Sequence, residues 1–195
     1  MQVERWDVLE ITVKGPGEGN PFVEQNIEGT FTGKNETITT AGFYDGDGVY
    51  KVRFMPSFEG EYTYKTTGSF PEAETQGSFT VTPATGNNHG PVRVANKYHF
   101  AYEDGVPYYS MGTTCYVWPH QPDEVIQKTL AELDKGYFNK MRFCVFPKHY
   151  IHNFKDPQTF PYEGAPVDAS GLTEENFSYN VGFEGNQWDF TRFDP

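Results

Sequence analysis

Between Val3 and Thr82 apolar positions recur at every second residue. Tyr50, Val52 and Phe54 fall on one side while Lys51 and Arg53 fall on the other, Tyr62 and Tyr64 alternate with Thr63 and Lys65, and Phe79 and Val81 repeat the pattern before Pro83. Period two marks strands with one buried face. Leu9, Ile11 and Val13 predict the inward face of a first strand, residues 26–33 a second and residues 37–43 a third. Asp45-Gly46-Asp47-Gly48 then predicts a tight turn into residues 49–55. No helical period is visible in this stretch. Short strands punctuated by Gly, Pro, Asp and Asn predict an all-β sandwich over residues 1–83.

After Pro83 the pattern changes. Ala84-Thr85-Gly86-Asn87-Asn88-His89-Gly90 is small, polar and glycine-rich, and residues 84–90 read as an interdomain linker. Residues 98–102, the turn Glu103-Asp104-Gly105 and residues 106–111 read as a hairpin. Gln121-Pro122-Asp123-Glu124 opens a helix with Pro in its first turn and acids where the macrodipole favours them. Ile126, Leu130, Leu133 and Tyr137 lie on one face of that helix, and Gly136 is a plausible stop. Residues 140–146 follow as a strand. Strand, helix, strand is a βαβ unit, which requires a parallel pairing. From residue 147 to 195 periodicity fades into an aromatic, Pro- and Gly-rich segment longer than ordinary connections.

Charge narrows the function classes. The 195 residues carry 15 Lys+Arg against 27 Asp+Glu, a formal net charge of −12. That excludes the basic patch of a nucleic-acid or anionic-membrane binder, so neither partner is expected. No apolar run reaches the roughly 18 residues of a membrane span, and no basic-then-apolar segment follows Met1. A soluble, cytoplasmic chain is the expectation, with Cys115 and Cys144 as reduced thiols. Aromatic residues make up 17% of the chain, which suits strands and also suits stacking against sugar rings.

Several motifs carry a family resemblance. Gly42-Phe43-Tyr44-Asp45-Gly46-Asp47-Gly48-Val49-Tyr50, followed by Val52-Arg53-Phe54-Met55-Pro56, resembles the immunoglobulin-like N-terminal domain found ahead of apiosidase-like glycoside hydrolases. Asn88-His89-Gly90-Pro91-Val92 and Gly112-Thr113-Thr114-Cys115-Tyr116-Val117-Trp118-Pro119-His120-Gln121 resemble the entry into that family's catalytic barrel. Asn139-Lys140-Met141-Arg142-Phe143-Cys144-Val145-Phe146-Pro147-Lys148-His149-Tyr150 and Trp188-Asp189-Phe190-Thr191-Arg192-Phe193 continue the likeness in the family's order.

The resemblance implies an immunoglobulin-like sandwich (residues 1–83), a linker (84–90) and the first βαβ part of a (β/α)8 TIM barrel (91–195). A complete barrel takes about 250 residues. The family's two catalytic carboxylates come from later strands, so the chain reads as an N-terminal fragment of a glycoside hydrolase acting on plant-type poly- or oligosaccharides. No catalytic residue is nominated in it, and alone it is expected to be inactive. The rival is a non-catalytic carbohydrate-binding or interaction module. Expected partners are a carbohydrate substrate and either the remainder of the same enzyme or another chain covering the open barrel edge.

Loops at the C-terminal ends of barrel strands build the active site. That rule places Trp118 as a sugar-stacking floor and His120, Lys148, His149 and Tyr150 as hydroxyl-binding groups, each against the alternative of ordinary loop packing. Arg142 is the sharper candidate, because a charge inside an apolar strand is costly unless paired. In the clan of retaining barrel glycosidases that the fold resembles, an arginine on the second strand commonly steadies the nucleophilic carboxylate, and Arg142 matches that position. Its alternative is a structural ion pair with an acid between residues 163 and 194. No metal or cofactor is expected. His149 and His152 lack a third ligand, and the Asp45–Asp47 turn has Pro56 where an EF-hand would need its bidentate acid.

Overall fold

The computed structural model describes residues 1–145. The chain forms two compact units, Met1–Tyr108 and Tyr109–Pro195.

Between residues 2 and 82, eight strands of the first unit form two sheets. β1 (Gln2–Glu4), β3 (Ile27–Gly33), β4 (Thr37–Ala41), β7 (Gly60–Gly68) and β8 (Thr75–Thr82) make a five-stranded sheet in the order β1-β8-β7-β3-β4. β2 (Leu9–Lys14), β5 (Phe43–Tyr44) and β6 (Val49–Phe54) make the second, in the order β2-β6-β5. All pairings are antiparallel except β1 with β8. Helix is confined to a single turn, α1 (Pro21–Glu24), and a 3-10 turn at Pro71–Ala73.

The alternation seen in the sequence becomes the core. Leu9, Ile11 and Val13 of β2, with Tyr50, Val52 and Phe54 of β6, pack against Ile27, Phe31, Tyr62, Phe79 and Val81 of the larger sheet. Phe31 and Phe54 stack across the interface with ring centroids 4.4 Å apart. Burying side chains of this size stabilises by roughly 1.5–3 kcal/mol each, which is the main term holding the sandwich together. On the outer face, Lys51 Nζ lies 2.6 Å from Asp45 and 3.4 Å from Glu10, and Arg53 Nε lies 2.9 Å from Glu10. The Asp45 carboxylate beside it, which accepts its hydrogen bond, holds the Lys51 ammonium above its ordinary pKa, against an opposing desolvation. Burial first, then the 2.6 Å hydrogen bond to Glu36, pushes the Tyr62 phenol well above the usual tyrosine range.

The third predicted strand is in fact two. β4 pairs with β3 in one sheet and β5 pairs with β6 in the other, so the chain changes sheets at Gly42. There the Gly42 N–H donates to the Ile27 carbonyl at 2.8 Å, and a Cβ would stand 2.5 Å from the Lys51 carbonyl oxygen. Only glycine permits that approach of three backbones.

Residues 84–90 belong to the first unit and are fastened to β1 and the residue after it. Thr85 donates its N–H and hydroxyl to the Glu4 carboxylate at 3.2 and 2.6 Å, and Asn88 Nδ2 donates to the Arg5 carbonyl at 3.1 Å. Gly90 lies against the Trp6 ring, so a Cβ there would come within 2.6 Å of it. The boundary between compact units therefore falls after Tyr108, not at this segment.

The expected hairpin of residues 98–111 is also rearranged. β10 (His99–Tyr102) pairs antiparallel with β9 (Val92–Ala95), a strand the pattern had not marked, through a turn in which Asn96 and Lys97 adopt positive φ. The return from residue 106 makes one bridge, Ala101 with Pro107. On either side of it the Tyr102 N–H donates to Val106 O at 2.8 Å and the Tyr108 N–H donates to Phe100 O at 3.0 Å.

In the second unit, β11 (Gly112–Thr114) and β12 (Lys140–Arg142) pair in parallel and are joined through α2 (Asp123–Asp134). This is the βαβ unit anticipated, with its first strand at 112–114 instead of 106–111. Asn139 staples the N-terminal ends: its N–H donates to Met111 O at 2.9 Å, its Oδ1 accepts from Met111 N–H at 3.0 Å, and its Nδ2 donates to Tyr109 O at 2.8 Å. α2 carries acids in its first turn, as its dipole favours.

Candidate functional site

Ligands of open parallel sheets bind beyond the C-terminal ends of the strands, where helix N-termini and loops converge. In the second unit that end is formed by residues 115–121 after β11 and by residues 143–145 after β12. Backbone bonds join the two segments past the regular strands, with the register slipping by one residue: Cys115 N–H donates to Arg142 O at 2.9 Å, and Cys144 N–H donates to Tyr116 O at 2.8 Å. Both loops thus leave the sheet from fixed backbone positions.

Three of the sequence candidates lie in or directly before these two segments. Trp118 sits in a 3-10 turn, Trp118–His120, which Pro119 favours by its fixed φ. Its indole N–H donates to the Ile126 carbonyl of α2 at 3.4 Å, and its ring meets Phe143 edge-on with centroids 5.7 Å apart. His120 is 2% exposed, and its Nε2 lies 2.9 Å from the Val145 carbonyl. A carbonyl only accepts, so Nε2 carries the proton. Arg142 alternates away from Phe143 and keeps an exposed side chain. Its Nη2 donates to the Tyr116 hydroxyl at 2.6 Å, and its Cζ lies 5.0 Å from the Tyr116 ring centroid. Lys148, His149 and Tyr150, together with the acids between residues 163 and 194, lie outside the described residues.

Sequence reasoning missed Tyr116 and Phe143. Both lie within the segments 112–121 and 139–150 that carry the family resemblance, but neither is singled out by it, and their roles depend on register. Thr114 pairs with Arg142, so two residues further along β11 the side chain of Tyr116 returns to the Arg142 face. The only advance signal was the parity of 114, 116 and 142, useless until the pairing is known.

Chemically, this end offers a cation, a phenol and half-buried aromatic rings. Residues 112–121 and 140–145 contain no acid. Cys115 and Cys144 are free thiols just past the ends of β11 and β12. Among the described residues, no group of three His, Cys, Asp or Glu side chains is placed to hold a metal ion. The first unit has an open groove of about 410 Å³ between β1 and β2, lined by Glu4, Asp7 and Glu10 among others. Each of these acids is already engaged: Glu4 with Thr85, Asp7 with the Val8 N–H, Glu10 with Lys51 and Arg53.

With the fold and this end of the sheet described, similarity to known proteins can be placed on them. A family model described as "Domain of unknown function (DUF5060)" matches residues 2–69, the greater part of the sandwich. The crystal structure of a "putative glycoside hydrolase" from Bacteroides vulgatus ATCC 8482 aligns over 99% of the chain with a TM-score of 0.79 and 39% sequence identity. The chain spans 36% of that protein's length. No curated protein matches the sequence. The chain therefore has a fold like that of this putative glycoside hydrolase.

Proposed function

We propose that the chain is the N-terminal part of a glycoside hydrolase, in which the sandwich is an immunoglobulin-like brace and the βαβ unit opens a (β/α)8 barrel acting on plant-type poly- or oligosaccharides. One observation carries this reading: the likeness to the B. vulgatus protein extends through both units, 99% of the chain, while spanning 36% of that protein. In this reading the carboxylates that cleave the glycosidic bond stand on later strands of a longer polypeptide, and the remaining strands cover the open edge of β11 and β12. Arg142 steadies the nucleophilic carboxylate, and Trp118, His120, Lys148, His149 and Tyr150 line the sugar site. The resemblance of the 42–56 and 112–121 motifs to apiosidase-like glycoside hydrolases supports the finer assignment.

The test compares the 195-residue chain with the longer polypeptide on a panel of 4-nitrophenyl glycosides. The longer protein is expected to release nitrophenol and the 195-residue chain to remain at blank. Turnover by the 195-residue chain would mean that the carboxylates are within it; inertness of both, with retention on insoluble plant polysaccharide, would support the binding-module reading instead. Arg142→Ala in the longer protein is expected to lower kcat by at least about 100-fold with little change in melting temperature, as for loss of a preorganised electrostatic contact.

A further inference from the structure

We propose that Tyr116 is a positioning residue for Arg142, fixing the guanidinium so that its planar fork is presented to a carboxylate at the C-terminal end of the parallel pair. The inference rests on the glycoside hydrolase reading of the same site. Four features of the structure carry it. The Nη2–Oη distance of 2.6 Å is short for a charge-assisted hydrogen bond, and the Arg142 Cζ lies 5.0 Å from the ring centroid, within cation–π range. Hydrogen bonds on both sides pin the two backbones, Cys115 N–H to Arg142 O and Cys144 N–H to Tyr116 O. No acid occurs in residues 112–121 or 140–145, so neither loop segment neutralises the charge.

An exposed arginine otherwise carries the full rotamer entropy of a long side chain, which a carboxylate would have to overcome on pairing. Tyr116 removes part of that cost in advance. A phenol does this where an acid would not serve: it accepts one of the five guanidinium N–H groups without cancelling the charge, so the bidentate geometry that matches a carboxylate is kept. Tyr116 touches no reacting atom in this scheme; it acts through Arg142.

Two measurements test the proposal. In the longer polypeptide labelled with 15N, where further strands would cover the second unit, the Arg142 guanidinium N–H signals should be resolved, and Tyr116→Phe should average them while leaving the melting temperature unchanged. In the longer hydrolase, assayed with the 4-nitrophenyl glycoside it turns over, Tyr116→Phe should lower kcat about tenfold and leave KM within about twofold. Added to Arg142→Ala, the same substitution should cost nothing further. Equal losses from Tyr116→Phe in both backgrounds, or Arg142 signals already averaged in the unmodified chain, would overturn it. If the longer protein turns over no glycoside, the glycosidase reading fails, while the guanidinium spectrum still decides whether Tyr116 holds Arg142.

Discussion

At Gly42 the chain leaves β4 of one sheet for β5 of the other, and a Cβ there would stand 2.5 Å from the Lys51 oxygen and 2.6 Å from Ile27 Cγ2. Backbone cannot yield as a flexible side chain does. Gly42→Ala is therefore expected to cost about 1–3 kcal/mol, read as a lower urea midpoint with an unchanged slope; an unshifted midpoint would show that the crossing is looser than drawn. Phe31, fully buried and stacked on Phe54, belongs to a different class of position. Phe31→Ala leaves a cavity between the sheets and should cost about 3–5 kcal/mol by the same measurement. The two positions also differ in how visible they were beforehand. Phe31, Val52 and Phe79 could be assigned to the core because alternation is a local property. The break at Gly42 could not be placed, because a glycine inside a strand pattern marks a bulge or a close approach without saying which, and the change of partner is dictated by Ile27 and Lys51, distant in sequence. The same holds for Arg142, visible as a charge in an apolar strand, and Tyr116, visible only through register.

Among the elements, the segment 84–90 shows composition pointing one way and hydrogen bonding another. Its glycines and asparagines suggest a flexible tether, yet Glu4 holds Thr85 and Asp104 holds His89 at 2.7 Å. The bonds from Thr85 lower the Glu4 carboxyl pKa, and the hydrogen bond to His89 lowers that of Asp104. A carboxyl lowered in the folded state contributes stability that is fully present above its unfolded value, near pH 4, and is lost as pH falls through the folded value. The attachment should therefore loosen below about pH 4. Hydrogen exchange checks this: protection of the Thr85 and Val106 amides, which donate to Glu4 and Asp104, should fall in that window while Val52 in the core stays protected. Glu4→Gln should expose the Thr85 amide at neutral pH. Unaltered protection in both experiments would mean that the segment is held by Trp6 and Asn88 alone. α2 was the most legible element, since its opening acids and apolar face are written within twelve residues; β9 was the least, because Val92 and Val94 gain their partners, Tyr102 and Phe100, only through the turn at Asn96.

For the molecule as a whole, the distribution of buried surface decides which part can stand by itself. Every residue of the hydrophobic core cluster lies between Leu9 and Val81, inside the first unit. In contrast, α2 has no buried residue, and Leu130, Tyr137 and Phe138 around it are exposed at 42%, 89% and 48%. An amphipathic helix gains most of its stability from packing its apolar face, and a parallel sheet is normally covered on both sides. Two three-residue strands cannot supply that cover. Limited proteolysis of the 195-residue chain should consequently cut first beyond Tyr108 and leave a resistant core of residues 1–108. The end point is set at 108 because the fastened segment 84–90 and the β9–β10 ribbon belong to the first unit. In the longer polypeptide, where further strands would cover β11, β12 and α2, the same bonds should become resistant, and the contrast between the two digests is the measurement. Should residues 109–145 prove as resistant as the sandwich in a monomeric 195-residue chain, the second unit would be folding without further barrel strands, and the proposal that it opens a longer hydrolase would lose its physical basis.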